Sequence, residues 1–308
     1  MKKVFLCLAI ALIAVVAFAA CNSEPAAEAA NDTRPTADRE GHPITLPTEI
    51  NRVVTLGPST AEILIALGLG DRIIAVDSFS ADVAGLPAGV VKPFGIMDPD
   101  PEYIISLMPD VVFVAGIARS ADSPFAAMEQ VGITLIHKPS SDSIAGIMED
   151  IRFIAAVMGV EEAGESIISR MQAELDEIAQ IAAGITEART VYFEVSPAPW
   201  MFSVGAGTFI NEMIELLGAV NIFADQEGWP MVSDEQLLVL NPDVILTTTD
   251  FLDDPIAEIM ERPGFDVITA VQNGDVFQID TASSNRPTHN ITSALREMAV
   301  AIYPEYFR

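Results

Sequence analysis

The chain has 308 residues, and 44 acidic side chains against 16 Lys and Arg give it a formal net charge of -28. Half of the residues are hydrophobic, a share that excludes disorder for most of the chain. The length suggests about two lobes, each with its own core. Such an acidic surface repels phosphates, so neither nucleic acid nor an anionic lipid headgroup is an expected partner.

The first segment of the chain predicts export. Two lysines precede an uncharged apolar run over residues 4–20, the pattern of a signal peptide spanning residues 1–20. Residues 18–21, Phe-Ala-Ala-Cys, resemble a bacterial lipoprotein cleavage box. The resemblance implies that Cys21 becomes the lipidated first residue of the mature protein. A plain secretory signal and an uncleaved anchor are the alternatives.

A polar segment follows the predicted signal. Residues 21–48 carry no apolar periodicity, and we interpret them as a flexible tether between the lipid and the folded part. Beyond Cys21 the chain has no cysteine, so it forms no disulfide there and has neither a thiolate metal site nor a cysteine nucleophile. We therefore expect an exported protein, anchored by lipid to the cell membrane, in the periplasm or on the outer face of the cytoplasmic membrane.

Seven short apolar runs predict strands. Continuous apolar runs of this length are typical of parallel strands that are covered on both faces. Helical patterns such as Thr60 to Leu67 separate them, which indicates an α/β fold. The predicted strands are Arg52 to Leu56, Arg72 to Val76, Val111 to Val114, Thr134 to His137, Thr190 to Glu194, Val244 to Thr248 and Val276 to Ile279.

Two longer helices are predicted in the middle of the chain. The first covers residues 144–158, with Asp142 or Ser143 as its cap and Gly159 at its end. The second, over residues 161–184, is amphipathic and uninterrupted, and would be a stiff strut of roughly 35 Å at about 1.5 Å per residue. It divides an N-terminal lobe, residues 49–160, from a C-terminal lobe, residues 185–308.

The chain also repeats itself. PEYIISLMPDVVFV matches DEQLLVLNPDVILT, so that Glu102 and Glu235 each stand seven residues before a Pro-Asp pair. EILIALG matches EMIELLG, so that Glu62 and Glu212 each stand six residues before a glycine. Any α/β chain produces some helix-to-strand junctions of this kind, but two pairs in the same order favour duplicated lobes.

Catalytic motifs are missing. The three histidines, His42, His137 and His289, lack metal-ligand spacing, and the sequence has no nucleophile elbow, phosphate loop or dinucleotide fingerprint. We expect neither an enzyme, nor a metal site, nor a cofactor; an exported chelatase or reductase is the remote alternative. The Gly205 to Thr208 stretch, GAGT, either holds an anion at a helix N-terminus or, as we favour, is a tight turn.

Large side chains in predicted loops are the remaining candidates for a site. Phe79, Phe94, Trp200 and Trp229 lie near predicted strand ends, where ligands of α/β proteins bind. Packing under a loop is the alternative, and for a single Phe the better one. Arg286, a rare cation in this chain, either donates a bidentate hydrogen bond to a ligand carbonyl, carboxylate or phosphate or forms a surface salt bridge.

These residues resemble a known family. RVVTLGPSTAEILIALGLGDRIIAVD, PEYIISLMPDVVFVAG, GTFINEMIELLGAVNIFADQEGWPMVSDEQLLVLNPDVIL and NRPTHNITSALREMAVAIYPE are similar to the cobalamin and iron-chelate substrate-binding proteins of bacterial ABC importers. The resemblance spans residues 52–308. It implies two Rossmann-like α/β lobes joined by a single long rigid α-helix, a ligand cleft between the lobes and little lobe closure.

The resemblance also implies partners. In this family one glutamate on each lobe contacts arginines of the membrane permease, and the matching positions are Glu102 and Glu235. The expected partners are therefore an ABC importer permease with its ATPase, a small corrinoid or ferric chelate, and a membrane reached through the lipid anchor. We expect a monomer.

The ligand is less strongly indicated than the family. GWPMVSDEQ around Trp229 is most similar to the cobalamin-binding branch, although Ser283, Ser284 and Asn285 replace acidic residues that are frequent there. A corrinoid is favoured over a siderophore, for which more Arg or Lys is expected, and over haem, for which Met201, Met231 or His289 are candidate iron ligands. The ligand-contact positions of the branch fall at or near Phe79, Phe94, Trp200 or its neighbour Met201, Trp229 and Arg286.

Overall fold

A computed structural model describes residues 33–95, 99–117 and 125–307 of the chain. The N-terminal lobe is built on five parallel strands in the order β3-β2-β1-β4-β5. Because the central strands are buried on both faces, their sequences are continuous Val, Ile and Leu runs. The strands are β1 (Val53–Leu56), β2 (Ile73–Asp77), β3 (Val91–Phe94), β4 (Val111–Ala115) and β5 (Thr134–Lys138).

The C-terminal lobe repeats this arrangement with four parallel strands in the order β7-β6-β8-β9. This order corresponds strand for strand to β2-β1-β4-β5, so the sequence repeat is also a repeat of topology. The strands are β6 (Thr190–Glu194), β7 (Val220–Asn221), β8 (Val244–Thr247) and β9 (Val276–Gln278).

Helices connect the strands in both lobes. The N-terminal lobe has α1 (Pro58–Ala66), α2 (Pro101–Ser106) and α3 (Ala126–Gln130), followed by α4 (Ile144–Met158) and α5 (Glu161–Ala182). The C-terminal lobe has α6 (Phe209–Leu216), α7 (Asp234–Leu240), α8 (Pro255–Met260), α9 (Thr269–Asn273), α10 (Thr281–Asn285) and α11 (Ile291–Ile302).

All seven predicted strands are confirmed within one or two residues of their predicted ends. The strands β3 and β7 were not predicted. The first contains a lysine and a proline, VKPF, and the second has only two residues, so neither leaves a recognisable apolar run.

The chain passes from the N-terminal lobe to the C-terminal lobe through α5, which directly follows α4. Ser143 caps α4, its hydroxyl accepting the N–H of Gly146 at 3.0 Å, and Gly159 ends it in the left-handed conformation with φ 69°. The 22-residue α5 packs on α4 and then on α6 and α11 of the C-terminal lobe. Of its predicted apolar positions, Ile181 is half-buried and the others are buried: Ile167, Ile168, Met171, Leu175 and Ile178.

The core runs through both lobes without interruption. One cluster of buried side chains contains Ile63 and Ile151 from the N-terminal lobe, Ile178 from α5, and Phe209 and Leu295 from the C-terminal lobe. Close-packed interiors of proteins have low compressibility. The helix α5 is thus part of a core that both lobes share, and its stiffness stays a prediction.

The segment before β1 corrects the predicted extent of the flexible tether. Asp38 is buried, and Arg39 forms ion pairs with Asp150 at 3.0 Å and with Glu149 at 3.1 Å. Asp150 is fully buried beside Lys138, 2.7 Å away, and Arg39 adds a second positive partner to that carboxylate. From about residue 35 onward the predicted tether is thus part of the N-terminal lobe.

The predicted signal peptide, Cys21 and the tether up to residue 32 lie outside the described residues. Within the part of the chain that the structure describes, no helix is both long and apolar enough to cross a bilayer.

Candidate functional site

The carboxyl ends of the strands of both sheets meet at one side of the molecule. Asp82 comes shortly after β2 in the N-terminal lobe, and Arg286 comes after β9 and α10 in the C-terminal lobe. Both carboxylate oxygens of Asp82 accept from Nη2 of Arg286 at 2.9 Å. Since ligands of parallel α/β sheets bind beyond the strand carboxyl ends, the candidate cleft lies between these two edges.

Phe79 follows the carboxyl end of β2, at the N-terminal edge of the candidate cleft. The buried carboxylate of Asp77, at the end of β2, accepts from the N–H of Gly57 at 2.7 Å, the N–H of Phe79 at 2.8 Å and the hydroxyl of Ser80 at 2.5 Å. These bonds join the ends of β1 and β2 and fix the turn that carries Phe79. Phe79 is 63% exposed, so it presents an apolar surface to solvent.

Trp200 and Trp229 lie on two loops of the C-terminal lobe that are hydrogen-bonded to each other. Phe202 and Met231 form an antiparallel bridge, and Val232 donates to the carbonyl of Met201 at 3.0 Å. The structure thus brings together two tryptophans that are 29 residues apart in the sequence. Trp200 is 67% exposed and Trp229 is 44% exposed.

The same loop pair explains the GAGT stretch. A Cβ on Gly205 would lie 2.1 Å from the carbonyl oxygen of Gln226, so only glycine allows the two backbones to approach. Thr208 caps α6, accepting from the N–H of Asn211 at 3.2 Å. The stretch is therefore a tight turn with a helix cap, the favoured alternative, and its side chains are engaged within the protein.

Three further candidate residues differ in accessibility. Met201 is buried in the C-terminal core, so of the two neighbours Trp200 presents the ligand-accessible surface. Met231 is 56% exposed beside Trp229. Phe94 ends β3, and its side chain lies outside the described residues.

Of the two predicted roles of Arg286, the structure shows the ion pair, and this ion pair joins the two lobes rather than lying on an open surface. Its Nη1 donates to Glu62 of α1 at 2.8 Å, and its Nη2 donates to Asp82. Ion pairing with these two carboxylates raises the pKa of Arg286 although burial opposes it. Arg286 and its two partners line a cavity of about 270 Å³, and His289 lines it as well. Burial lowers the pKa of His289, which favours the neutral imidazole.

Behind the tryptophan loops lies a buried ion-pair network. Arg262 donates to both oxygens of Glu194, at 2.6 and 3.0 Å, and also to Glu258. Burial raises the pKa of Glu194 and of Tyr192, whose hydroxyl donates to that carboxylate at 3.2 Å. Since every charge has a partner within the protein, this is a structural network and does not resemble an acid–base site.

The two glutamates of the first repeat have equivalent positions. Glu102 and Glu235 are each the second residue of their helix, α2 and α7, and both are exposed. Asp100 and Ser233 cap the two helices. Hydrogen bonds from its own backbone N–H and from Ser233 lower the pKa of Glu235, so its carboxylate stays charged well below neutral pH.

Sequence reasoning missed three residues at this side of the molecule. Phe251 is 70% exposed and follows β8, and only its position after that strand could have indicated it. Glu62 and Asp82 were missed as partners of Arg286, because no local pattern encodes contacts across more than 200 residues. Among the described residues, no group of three or more His, Asp or Glu could hold a metal ion.

Comparison with known proteins agrees with this geometry. The family model described as periplasmic binding protein matches residues 53–282, which cover both sheets. This chain belongs to that family. An ABC transporter substrate-binding lipoprotein of Bacillus subtilis is 32% identical over 279 residues, covering 88% of this chain and 86% of the relative.

Two solved structures share the family fold. A possible iron-binding, periplasmic solute-binding protein of Staphylococcus epidermidis has a TM-score of 0.72 at 28% identity, covering 83% of this chain and 100% of its own. The periplasmic vitamin B12 binding protein of Vibrio cholerae has a TM-score of 0.68 at 25% identity, covering 83% of this chain and 98% of its own. The resemblance seen in the sequence and the fold of two parallel-sheet α/β lobes are confirmed. Members of the family are binding proteins of transporters, in keeping with the missing catalytic motifs.

Proposed function

We propose that this periplasmic binding protein captures a corrinoid outside the cytoplasm and delivers it to the permease of an ABC importer, without catalysing a reaction. The observation that carries the proposal is the pair of exposed tryptophans, Trp200 and Trp229, on cross-bonded loops at the carboxyl edge of the C-terminal sheet. Phe79 adds an exposed ring at the carboxyl edge of the other sheet.

Large rings held on rigid backbone suit a large flat ligand. An aromatic ring buries 150 to 250 Å² when covered, and stacking adds about 0.5–1.5 kcal/mol. Contiguous exposed apolar surface marks a ligand or interaction site more often than scattered apolar residues do. A corrin offers a broad, largely apolar face of the matching kind, and the similarity to a vitamin B12 binding protein supports it.

A ferric chelate is the second candidate. Exposed Met231 beside Trp229 offers a thioether for haem iron, and one similar structure is a possible iron-binding protein. A siderophore with several negative charges fits less well, because the cation that the resemblance assigned to the cleft, Arg286, is already paired with two carboxylates.

Docking to the permease is assigned to Glu102 and Glu235. Both are exposed at equivalent positions of the two lobes. A single exposed ion pair contributes only about 0.2–1 kcal/mol, so two pairs on a rigid body chiefly fix orientation, while the acidic surface speeds encounter with a basic partner. The lipid on Cys21 would keep the protein near that permease.

Isothermal titration calorimetry of the purified protein with cyanocobalamin, haemin and several ferric siderophores tests the proposal. Sub-micromolar binding of cyanocobalamin is expected. Binding of a ferric siderophore or haemin, with no heat from cyanocobalamin, would replace the corrinoid by that ligand. A processed chain whose mass lacks a lipid on Cys21 would remove the anchor from the proposal.

A further inference from the structure

The second repeat pair of the sequence, Glu62 and Glu212, belongs neither to the aromatic walls nor to the docking helices. Glu62 lies in α1 of the N-terminal lobe and Glu212 in α6 of the C-terminal lobe. Each helix is followed by a glycine in the left-handed conformation, Gly68 with φ 78° and Gly218 with φ 69°. The two glutamates therefore occupy equivalent positions in the duplicated lobes.

Among the described residues, the side-chain partners of Glu62 all belong to the opposite lobe. Its Oε1 accepts from Arg286 at 2.8 Å, and its Oε2 accepts from Thr288 at 3.1 Å and Asn290 at 3.0 Å. These three residues lie in the segment between α10 and α11, where Arg286 ends α10 and Asn290 caps α11. The carboxylate is buried, so these bonds form away from water, where hydrogen bonds to a charged acceptor are strong.

Glu212 makes the reverse connection. Its Oε2 accepts from the backbone N–H of Ile144 at 2.7 Å, and Ile144 is the first residue of α4, which packs on α1 in the N-terminal lobe. The N-terminus of a helix carries unpaired N–H groups and a partial positive charge, so a carboxylate from another element stabilises it. Glu212 thus ties the C-terminal lobe to the start of a 15-residue helix of its neighbour.

The two links are reciprocal. In the chain, α4 follows β5, and α11 follows β9 after the short helix α10; β5 and β9 hold equivalent places in the two sheets. The same glutamate of each lobe therefore reaches the start of the corresponding helix of the other lobe. We infer that Glu62 and Glu212 are interlobe positioning residues that hold the carboxyl edges of the two sheets at a fixed separation.

Fixed separation of these edges has two consequences that rest on the proposed function. The aromatic walls stay at a constant distance, so the cleft selects its ligand by size without closing on it. Glu102 and Glu235 stay at a constant distance as well, so the permease meets the same docking pattern with and without ligand.

The experiment measures the lobe separation directly. The full chain carries Val131→Cys and Val267→Cys, two exposed positions, one in each lobe, for nitroxide labels, while Cys7 and Cys21 are replaced by serine. Double electron–electron resonance then gives the label-to-label distance. We expect one narrow distance for the parent, a broader distribution with a longer-distance population for Glu62→Gln and for Glu212→Gln, and the largest such population for the double variant.

Glu194→Gln is the matched control. It also neutralises a buried, arginine-paired glutamate, but its partners Arg262 and Tyr192 lie in its own lobe. It should lower the midpoint of urea unfolding and leave the distance distribution narrow. Glu212→Gln, at a half-buried residue, carries the test if Glu62→Gln does not fold.

Parent-like distributions for both repeat-pair variants would overturn the inference, as would equal broadening in Glu194→Gln. Because the distance measurement uses neither ligand nor permease, its outcome is independent of the corrinoid assignment. A protein that binds no corrinoid but broadens as expected would lose its proposed ligand and keep the interlobe role of Glu62 and Glu212.

Discussion

Replacement of Trp229 by alanine tests whether this side chain is a ligand wall. In the free protein 44% of Trp229 is exposed, and with up to about 250 Å² for a large aromatic side chain about 110 Å² is available to a ligand. At about 25 cal/mol per Å² full coverage would contribute about 2.7 kcal/mol. A flat ligand covers one face, so we expect roughly half of this, which is about a tenfold increase in Kd.

The assay is calorimetric titration of Trp229→Ala with the ligand that the parent protein binds. Tyr306→Ala is the matched control, because Tyr306 is 41% exposed but packs on Tyr303, whose hydroxyl accepts from Arg189 at the amino end of β6. That position is at the opposite edge of the sheet from the cleft. A Kd unchanged from the parent in Trp229→Ala, with normal unfolding behaviour, would refute the aromatic-wall reasoning.

Three further predictions concern docking, stability and pH. Charge reversal at Glu102 and Glu235 should abolish uptake of the ligand by cells while leaving the Kd of the purified protein unchanged, since both side chains are exposed. Arg262→Met should lower the free energy of unfolding in urea by about 3–5 kcal/mol, because it strands buried Glu194 without its partner. His289→Gln should reduce the loss of stability on acidification. Burial lowers the pKa of His289 in the folded protein below 6.5, so the unfolded chain binds the proton first as the pH falls. The stability of the parent is therefore full above pH 6.5 and decreases as the pH drops below it, and the variant lacks this contribution.

Each of these predictions has its own contrary result. Lost ligand binding in the charge-reversal variants would contradict a pure docking role, and Glu161→Lys, exposed at the start of α5, controls for net charge. A loss under 1 kcal/mol in Arg262→Met would mean that Glu194 is protonated in the fold. An unaltered slope of stability against pH in His289→Gln would show that another group dominates this range.

The sequence predicted the elements whose signals are local. Continuous apolar runs indicated the central strands, and the spacing of apolar residues predicted a helix over 161–184, which the structure shows as α5 over Glu161–Ala182, because burial on one helical face imposes a period on the chain. The repeat indicated Glu102 and Glu235 as equivalent positions, and the structure places both on the second residue of an exposed helix start.

Contacts between distant residues could not be predicted in this way. Arg286 and Glu62 are 224 residues apart, and nothing near either residue indicates the other. The ion pair between Arg39 and Asp150 could not be predicted for the same reason. A polar side chain in a segment without apolar periodicity is expected to be solvent-exposed, and only the position of the buried partner shows otherwise. The close approach of the loops that carry Trp200 and Trp229 requires a glycine at position 205, and this requirement becomes visible only when the opposing carbonyl of Gln226 is known.

The shared core has a consequence for how the molecule loses its structure. Because one cluster of buried side chains includes α1, α4, α5, α6 and α11, an isolated half would expose the apolar faces that the other half covers. The lobes should therefore unfold in a single cooperative transition despite their duplicated topology. Expression of either half alone should give an aggregating or protease-sensitive fragment, and co-expression of both halves, cut between Gly159 and Glu161, should restore a complex.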